Sequence, residues 1–318
     1  MSHRLRYAPP GPNGETLVEI THRCLAGMFL LRPSERLNAI VIGVLALAQR
    51  KYQVRVHACS YLSNHGHLLI SAESQKQISS FMEFVGSNVA REVNRLHRWK
   101  TRFWARPYIG VPVVGGSEIQ IQRLKYILSQ GTKEGLVDSP LNWPGINSAK
   151  ALANGQNLGG IWVDRTALHE ARRKSPREKV HAMDFEEELT LELSPLPCWL
   201  DLTPEKRQGE IRALISDIEQ EAAARHCRKG TRPLGRRAVL RQDPHHRVER
   251  LKTSPAPKVH AGNQELRKQF FQAYRLFTEA FRAAAKRLRL GDLSAEFPEG
   301  SFPPALPFVE AIQGLKPG

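Results

Sequence analysis

An α+β fold is predicted by the alternation of short strand-like segments and long helical segments in the first 130 residues. The helical segments, such as 33–51 and 78–96, carry apolar side chains at intervals of three and four residues. The strand-like segments, such as 17–21, are short and alternate between apolar and polar side chains. Their order is strand, helix, strand, strand, helix, strand, which is the ferredoxin-like arrangement around an antiparallel sheet.

The elements follow one another in chain order. The predicted strands are 17–21, 54–61, 67–71 and 108–114, and the predicted helices are 33–51, 78–96 and 117–130. Ser63 and Asn64 lie in the turn between the second and third strands. Helix 78–96 carries Ile78, Met82 and Val85 on one side, so we expect it to cover one face of the sheet.

The last of these helices holds a tyrosine and a carboxamide one turn apart. We expect Ser117 to be its N-cap and Gly131 to end it. Residues four apart share a helix face, so Tyr126 and Gln130 are expected to project together. A phenol beside a carboxamide could form a nucleophile with a supplementary metal ligand, whereas a half-buried structural tyrosine is the alternative.

Two histidines one residue apart lead into the third predicted strand. Side chains at positions i and i+2 of a strand project from the same face, so His65 and His67 would present two imidazoles side by side. Neighbouring imidazoles commonly hold a divalent metal. The alternative is a pair of buried or exposed histidines without a ligand, which is the more frequent case for an isolated His-x-His.

Four ordered motifs resemble the single-tyrosine HUH-endonuclease transposases, in particular the REP-associated tyrosine transposases and their insertion-sequence relatives. The motifs are Asn64-His65-Gly66-His67-Leu68-Leu69, Phe103-Trp104-Ala105-Arg106-Pro107-Tyr108, Tyr126-Ile127-Leu128-Ser129-Gln130, and Lys133-Glu134-Gly135-Leu136-Val137 with Asn142-Trp143-Pro144. The match spans roughly residues 15 to 150. Each motif alone is short, and their shared order makes the resemblance specific.

The resemblance implies a function as well as the fold, with the His pair on a central strand. Tyr126 would be the nucleophile, and His65, His67 and Gln130 would hold Mg²⁺ or Mn²⁺. A phenol is a poor nucleophile at neutral pH, and a metal could polarise and orient the scissile phosphate. Attack by Tyr126 would leave a covalent link to the DNA 5′ end and release a 3′ hydroxyl.

Gly66 departs from the family pattern, which has a hydrophobic residue between the two histidines. This middle position points away from the metal face, so we expect a gap beneath a packing helix and lower stability. Gly66 is also compatible with a degenerate copy that no longer cuts DNA. The alternative function is therefore a catalytically inactive or domesticated DNA-binding protein. A metal-dependent hydrolase of small molecules would leave the charge of the chain and Tyr126 unexplained.

A strong positive charge indicates a polyanionic partner. The 318 residues include 47 Lys and Arg against 31 Asp and Glu, a formal net charge of +16. The candidate DNA-binding residues lie on the second helix and in the segment after it: Arg91, Asn94, Arg95, Arg102, Trp104 and Arg106. Trp99 and Trp104 could stack on unpaired bases. We therefore expect single-stranded or hairpin DNA as the substrate. The alternative for the basic run is an ordinary solvated surface.

The location follows from what the sequence lacks. No segment approaches the roughly 20 apolar residues that span a bilayer, and no signal peptide opens the chain. The four cysteines are scattered without a Cys-x-x-Cys motif, which argues against a zinc knuckle or a disulfide framework. We expect a cytoplasmic, nucleoid-associated protein without a membrane partner. Monomer and homodimer remain alternatives, because some relatives exchange the tyrosine helix between subunits.

The second half of the chain reads as a helical, basic extension. We assign residues 1–150 to the catalytic domain and residues 151–318 to an extension that binds DNA or packs on that domain. Helices are predicted at 204–225 and 264–290. The segment 225–258 contains eleven Lys and Arg against two Asp and Glu, which indicates an irregular basic arm or a disordered segment. The tail 297–308 should extend along the surface.

Overall fold

A five-stranded sheet forms the centre of the computed structural model, which describes residues 6–174, 179–248 and 255–304. The strands are β1 (Thr16–Arg23), β2 (Arg55–Leu62), β3 (His65–Ala72), β4 (Ile109–Val114) and, near the C-terminus, β7 (His260–Ala261). Their order in the sheet is β2-β3-β1-β4-β7. All pairs are antiparallel except β4–β7, which is parallel. The predicted α+β fold is confirmed, and β3 with its two histidines is an interior strand.

Two long helices cover one face of this sheet. They are α1 (Glu35–Tyr52) and α2 (Gln75–His97). The Ser34 side chain caps α1 by accepting a hydrogen bond from the Leu37 amide. The second helix begins at Gln75, three residues before the predicted start, because Ser74 and Gln77 form a capping box there.

The tyrosine helix is shorter than predicted and is broken before Gln130. It runs as α3 (Ser117–Leu128), and a single turn α4 (Gln130–Lys133) follows. Two side-chain donors bind the Tyr126 carbonyl oxygen at this break, Ser129 Oγ at 3.0 Å and Gln130 Nε2 at 2.8 Å. The predicted N-cap was wrong, since Gly116 holds that place and Ser117 is already helical. The predicted stop was also wrong, since Gly131 lies inside α4.

Gly66 leaves no gap, contrary to the expectation from the sequence. It lies directly opposite Tyr61 in the β2–β3 pairing, and the tyrosine ring lies over it. A Cβ atom at Gly66 would be only 2.4 Å from Tyr61 Cε1. The buried Tyr61 therefore fills the space that a larger residue would occupy in the family pattern.

The remaining elements belong to the second half of the chain. They are α5 (Ala149–Asn154), β5 (Leu158–Val163), α6 (Arg165–Lys174), β6 (Glu186–Leu191), α7 (Pro204–Lys229), α8 (Arg236–Leu240) and α9 (Gln264–Arg289). Strands β5 and β6 form a separate antiparallel pair. The helix predicted to end at Arg225 continues to Lys229.

The structure describes most of the predicted basic arm. Its first residues belong to α7, and α8 adds a short helix within it. Arg32 donates hydrogen bonds to the carbonyl oxygens of Leu240 and Gln242, so this part of the arm is fixed to the N-terminal half. The remainder of the arm at 249–254, and residues 305–308 of the predicted tail, lie outside the described residues. No described helix is both long and apolar enough to cross a membrane.

The strand β5 packs on α1 at a contact between two glycines. A Cβ atom at Gly160 would lie 2.2 Å from the Gly43 backbone nitrogen, and one at Gly43 would lie 2.2 Å from the Ile161 carbonyl oxygen. Both neighbours are backbone atoms, so neither can rotate away. The two chain segments approach this closely because both positions lack a side chain.

We predict that Gly160→Ala lowers the free energy of unfolding by about 2 kcal/mol or more, because the methyl group must separate β5 from α1. The adjacent glycine provides the control, since a Cβ atom at Gly159 would meet no atom within 4 Å. Urea unfolding of the two variants measures the difference. Equal midpoints for Gly159→Ala and Gly160→Ala would contradict the close contact.

Candidate nucleophile and metal-binding site

His65 and His67 project from β3 toward the face of the sheet that carries α3. Their ring centroids are 5.0 Å apart. Across the strand pairing, Thr21 lies opposite His67 and Arg23 lies opposite His65. The two imidazoles therefore lie side by side, as the strand spacing predicted.

One nitrogen of each imidazole is bound within the protein. His65 Nδ1 is 2.6 Å from the Asn64 side-chain oxygen, and His67 Nδ1 is 3.1 Å from Thr21 Oγ1. These hydrogen bonds orient the rings through Nδ1, and the His65 ring also hydrogen-bonds to the Gln130 side chain.

Both rings are held in the neutral form that binds metals. Burial and the nearby charge of Arg23 lower the pKa of His65 to about 4, although the Gln130 side chain acts in the opposite direction. Burial, His65 and Arg23 lower the pKa of His67 well below its ordinary value. At neutral pH both imidazoles are therefore unprotonated.

Gln130 adds a third possible metal ligand beside the histidines. Its side chain is only 2 % exposed, and its amide nitrogen donates to the Tyr126 carbonyl oxygen. The amide oxygen is then the atom left to serve as a ligand. Two neutral imidazoles and a carboxamide oxygen suit a divalent cation of intermediate softness. Among the described residues, no group of three or more His, Cys, Asp or Glu side chains could hold a metal ion.

Tyr126 lies directly against this donor set. Its ring is edge-on to His67, with 5.6 Å between the centroids. Two cations flank it: Arg123 Cζ is 4.2 Å and Lys133 Nζ is 4.1 Å from the ring centroid. The Tyr126 ring is therefore next to positive charge, which favours a phosphate group beside it.

Three residues of this site were not predicted from the sequence as site residues. Glu19 is a buried carboxylate that contacts Arg123, and Arg123 and Lys133 are the cations against Tyr126. Burial raises the pKa of Glu19, and Arg123 opposes this shift. Glu19 occurs in an alternating strand and is two residues from Thr21, so a correct β1–β3 register would have placed it on the histidine face.

The predicted DNA-binding residues divide into two groups. Arg102, Trp104 and Arg106 line one open cavity of about 570 Å³, together with Arg6 and His22. His22 precedes Arg23 on β1 and lies opposite Gly66, so this cavity is on the other face of the sheet from the His pair. Three cationic side chains and several aromatic rings therefore meet here, as the sequence suggested for a nucleic-acid surface.

The other predicted DNA-binding residues lie on α2 or at its end and have local partners. Arg91 is exposed and donates to the Ser87 carbonyl oxygen. Asn94 donates to the Thr101 carbonyl oxygen, and Arg95 pairs with Glu92.

The two tryptophans proposed for base stacking have protein partners. Trp104 stacks on His22 with 3.6 Å between ring centroids and donates its indole N–H to the Gly86 carbonyl oxygen. Trp99 donates to the Arg102 carbonyl oxygen and packs near His245. One face of each indole is therefore already occupied within the protein.

Comparison with known proteins gives one family match. Residues 34–130 match the family model described as Transposase IS200 like. This segment includes β3, both histidines, Tyr126 and Gln130. The comparison with curated proteins gives no match.

Two solved structures are similar to part of the chain. One is described as a REP-associated tyrosine transposase bound to a REP hairpin, with 16 % identity, a TM-score of 0.40, and coverage of 49 % of this chain and 87 % of that one. The other is described as a "putative transposase" from Deinococcus radiodurans R1, with 17 % identity, a TM-score of 0.28, and coverage of 36 % and 91 %. The family match concerns about a third of the chain: residues 34–130 are similar to the family described as Transposase IS200 like.

Proposed function

We propose that this chain is a metal-dependent DNA strand transferase that cleaves and rejoins single-stranded or hairpin DNA through a 5′-phosphotyrosine intermediate. The observation that carries the proposal is the position of Tyr126, which lies against His67 and between Arg123 and Lys133. A structural tyrosine has no need of two flanking cations and a neutral His pair. A nucleophile that attacks a phosphodiester needs both.

The metal in this proposal is Mg²⁺ or Mn²⁺, held by His65, His67 and Gln130. When bound, such an ion would polarise the scissile phosphate and neutralise part of its charge. The hydrogen bonds that His65 Nδ1 and His67 Nδ1 form to Asn64 and Thr21 hold the imidazoles in orientation for it.

The reaction itself is proposed for Tyr126. Its phenolic oxygen forms a bond to phosphorus as the bond from phosphorus to the 3′ oxygen breaks, and the phenolic proton is lost as the 3′ oxygen gains one. Arg123 and Lys133 would stabilise the negative charge that develops on the oxygens. Because the phosphodiester is conserved as a phosphotyrosine ester, attack by a 3′ hydroxyl can rejoin DNA without nucleotide hydrolysis.

DNA is the proposed partner because the chain is strongly positive and because a cavity lined by arginines lies on the face of the sheet opposite the His pair. The excess of 16 positive charges favours a polyanion. We propose that Arg102 and Arg106 contact phosphates while Trp104 contributes an aromatic surface, and that Arg91, Asn94 and Arg95 extend this track along α2. A chromosomal substrate places the protein in the cytoplasm with the nucleoid.

The first test is a covalent-adduct assay with labelled single-stranded hairpins from DNA that flanks the gene of this protein. With Mn²⁺ or Mg²⁺ present, we expect a protein–DNA band that survives denaturing electrophoresis. The band should disappear in Tyr126→Phe, which lacks the attacking oxygen. Tyr52→Phe, a tyrosine at the end of α1, is the matched control and should retain the band.

The same assay separates the alternative function, an inactive DNA-binding protein on this fold. Tight binding of several hairpins without any adduct would favour that alternative and would overturn the proposed reaction. The only support for this alternative in the sequence was Gly66. The Tyr61 ring packs over Gly66 and leaves no room for a side chain, which explains the glycine without a loss of activity.

Lys133→Met is expected to slow adduct formation by about tenfold or more at saturating DNA, because it removes a cation beside Tyr126. Lys133 is exposed, so the fold should tolerate the change. Lys150→Met removes an exposed lysine from α5 and is the charge-matched control. Equal single-turnover rate constants for the two variants would exclude a role for Lys133 in the reaction.

We predict tighter binding of Mn²⁺ than of Mg²⁺, since imidazole nitrogens suit Mn²⁺ better than the oxygen-preferring Mg²⁺. Isothermal titration calorimetry of the DNA-free protein with each ion measures this order. Both ions should support adduct formation. Stronger binding of Mg²⁺ would contradict the proposed two-imidazole ligand set.

A further inference from the structure

The C-terminal extension adds a strand to the catalytic sheet. In β7, His260 pairs with Val113 and Ala261 pairs with Val114. The Gly262 amide also donates to the Val114 carbonyl oxygen at 2.9 Å. This strand lies about 190 residues beyond the His pair in sequence, outside the segment that matches the transposase family model.

The N-terminus and α9 hold this strand in place. Val259, which precedes β7, is buried. The α9 rings of Phe270 and Phe277 pack around Tyr7, with 5.5 Å and 5.2 Å between ring centroids. This aromatic cluster joins the N-terminal segment to α9, and α9 lies beside β7.

His260 reaches the buried carboxylate of Glu19. Its Nε2 lies 3.5 Å from Glu19 Oε2. The same carboxylate oxygen accepts a hydrogen bond from Arg123 Nε at 2.6 Å. Glu19 is only 5 % exposed, so its charge depends on these partners rather than on water.

Glu19 lies between His67, a proposed metal ligand, and Arg123, which contacts the Tyr126 ring. On one side, its second oxygen is 3.9 Å from His67 Nδ1, next to the Thr21 hydroxyl that binds the same nitrogen. On the other side, the arginine that it binds covers the Tyr126 ring. A shift of the Glu19 carboxylate would therefore change both the support of His67 and the place of Arg123.

We propose that Glu19 and His260 are positioning residues, through which the C-terminal extension fixes His67 and Arg123 for metal binding and for attack by Tyr126. This inference rests on the proposed function. Glu19 acts on His67 as an outer carboxylate that favours one ring orientation, as carboxylates behind metal-binding histidines commonly do. His260 acts through Glu19, the carboxylate that it contacts.

Calorimetric titration of the full-length, DNA-free protein with Mn²⁺ tests the inference without reference to activity. We expect Glu19→Gln to weaken Mn²⁺ binding about tenfold, which is typical for loss of a carboxylate that supports a metal-binding histidine. His260→Ala should give a smaller loss in the same direction, and His260→Gln, which retains an N–H donor, should restore binding. His169→Ala, an exposed histidine on α6, is the control and should bind as the wild type does.

A double variant tests whether His260 acts through Glu19. If it does, His260→Ala adds nothing further once Glu19→Gln is present, so the two effects are not additive. Additive losses would overturn the proposed route. Wild-type Mn²⁺ affinity in both single variants, or no Mn²⁺ binding by the wild type, would overturn the inference itself.

Adduct formation supplies the second readout. We expect Glu19→Gln and His260→Ala to lower the single-turnover rate constant at saturating DNA, with the Kd for DNA unchanged. A purely structural role would lower the melting temperature and leave the rate constant per folded molecule unchanged. Absence of adducts with the wild-type protein would overturn the proposed function instead, and the Mn²⁺ titrations would then decide the inference separately.

Discussion

The antiparallel pairing of β1 with β3 is the constraint on which the candidate site depends. Its register places Thr21 opposite His67 and puts Glu19 on the same face two residues earlier. Because side chains alternate along a strand, a slip of one residue would turn the histidines toward α1 and α2. If β1 turned over instead, the apolar side chains of Val18 and Ile20 would face the polar site. The hydrophobic core and the site therefore enforce the same register.

Positive charge surrounds a candidate site whose two histidines are neutral. Arg23, Arg123 and Lys133 all disfavour a proton on His67, and burial acts in the same direction. The cations that would attract phosphate thus also keep the imidazole in its metal-binding form. The buried carboxylate at this site, Glu19, is compensated by Arg123 at 2.6 Å, which prevents an unpaired charge in the interior. A single arrangement accordingly serves folding and chemistry.

The second half of the chain is integrated into the fold at several places. Strand β5 approaches α1 to within backbone contact at Gly160, and Arg165 forms an ion pair with the buried Glu92 of α2. Farther along, Arg225 donates to the Thr132 carbonyl oxygen in α4. The tyrosine helix and its following turn are thus supported by the extension from outside the segment that matches the family model. Loss of the extension would expose apolar surface and would free the edge of β4.

Local sequence determined the elements and the chemical types of the site residues. Periodicity predicted the core strands and helices, and strand spacing alone put His65 beside His67, because both effects depend on neighbours within a few residues. The break after Leu128 was not predicted, since it depends on which donors reach the Tyr126 carbonyl oxygen. The packing over Gly66 was also missed, because Tyr61 lies on another strand. Only the tertiary structure brought Glu19, Arg123 and His260 together, since their contacts join segments separated by more than a hundred residues and depend on strand order and register.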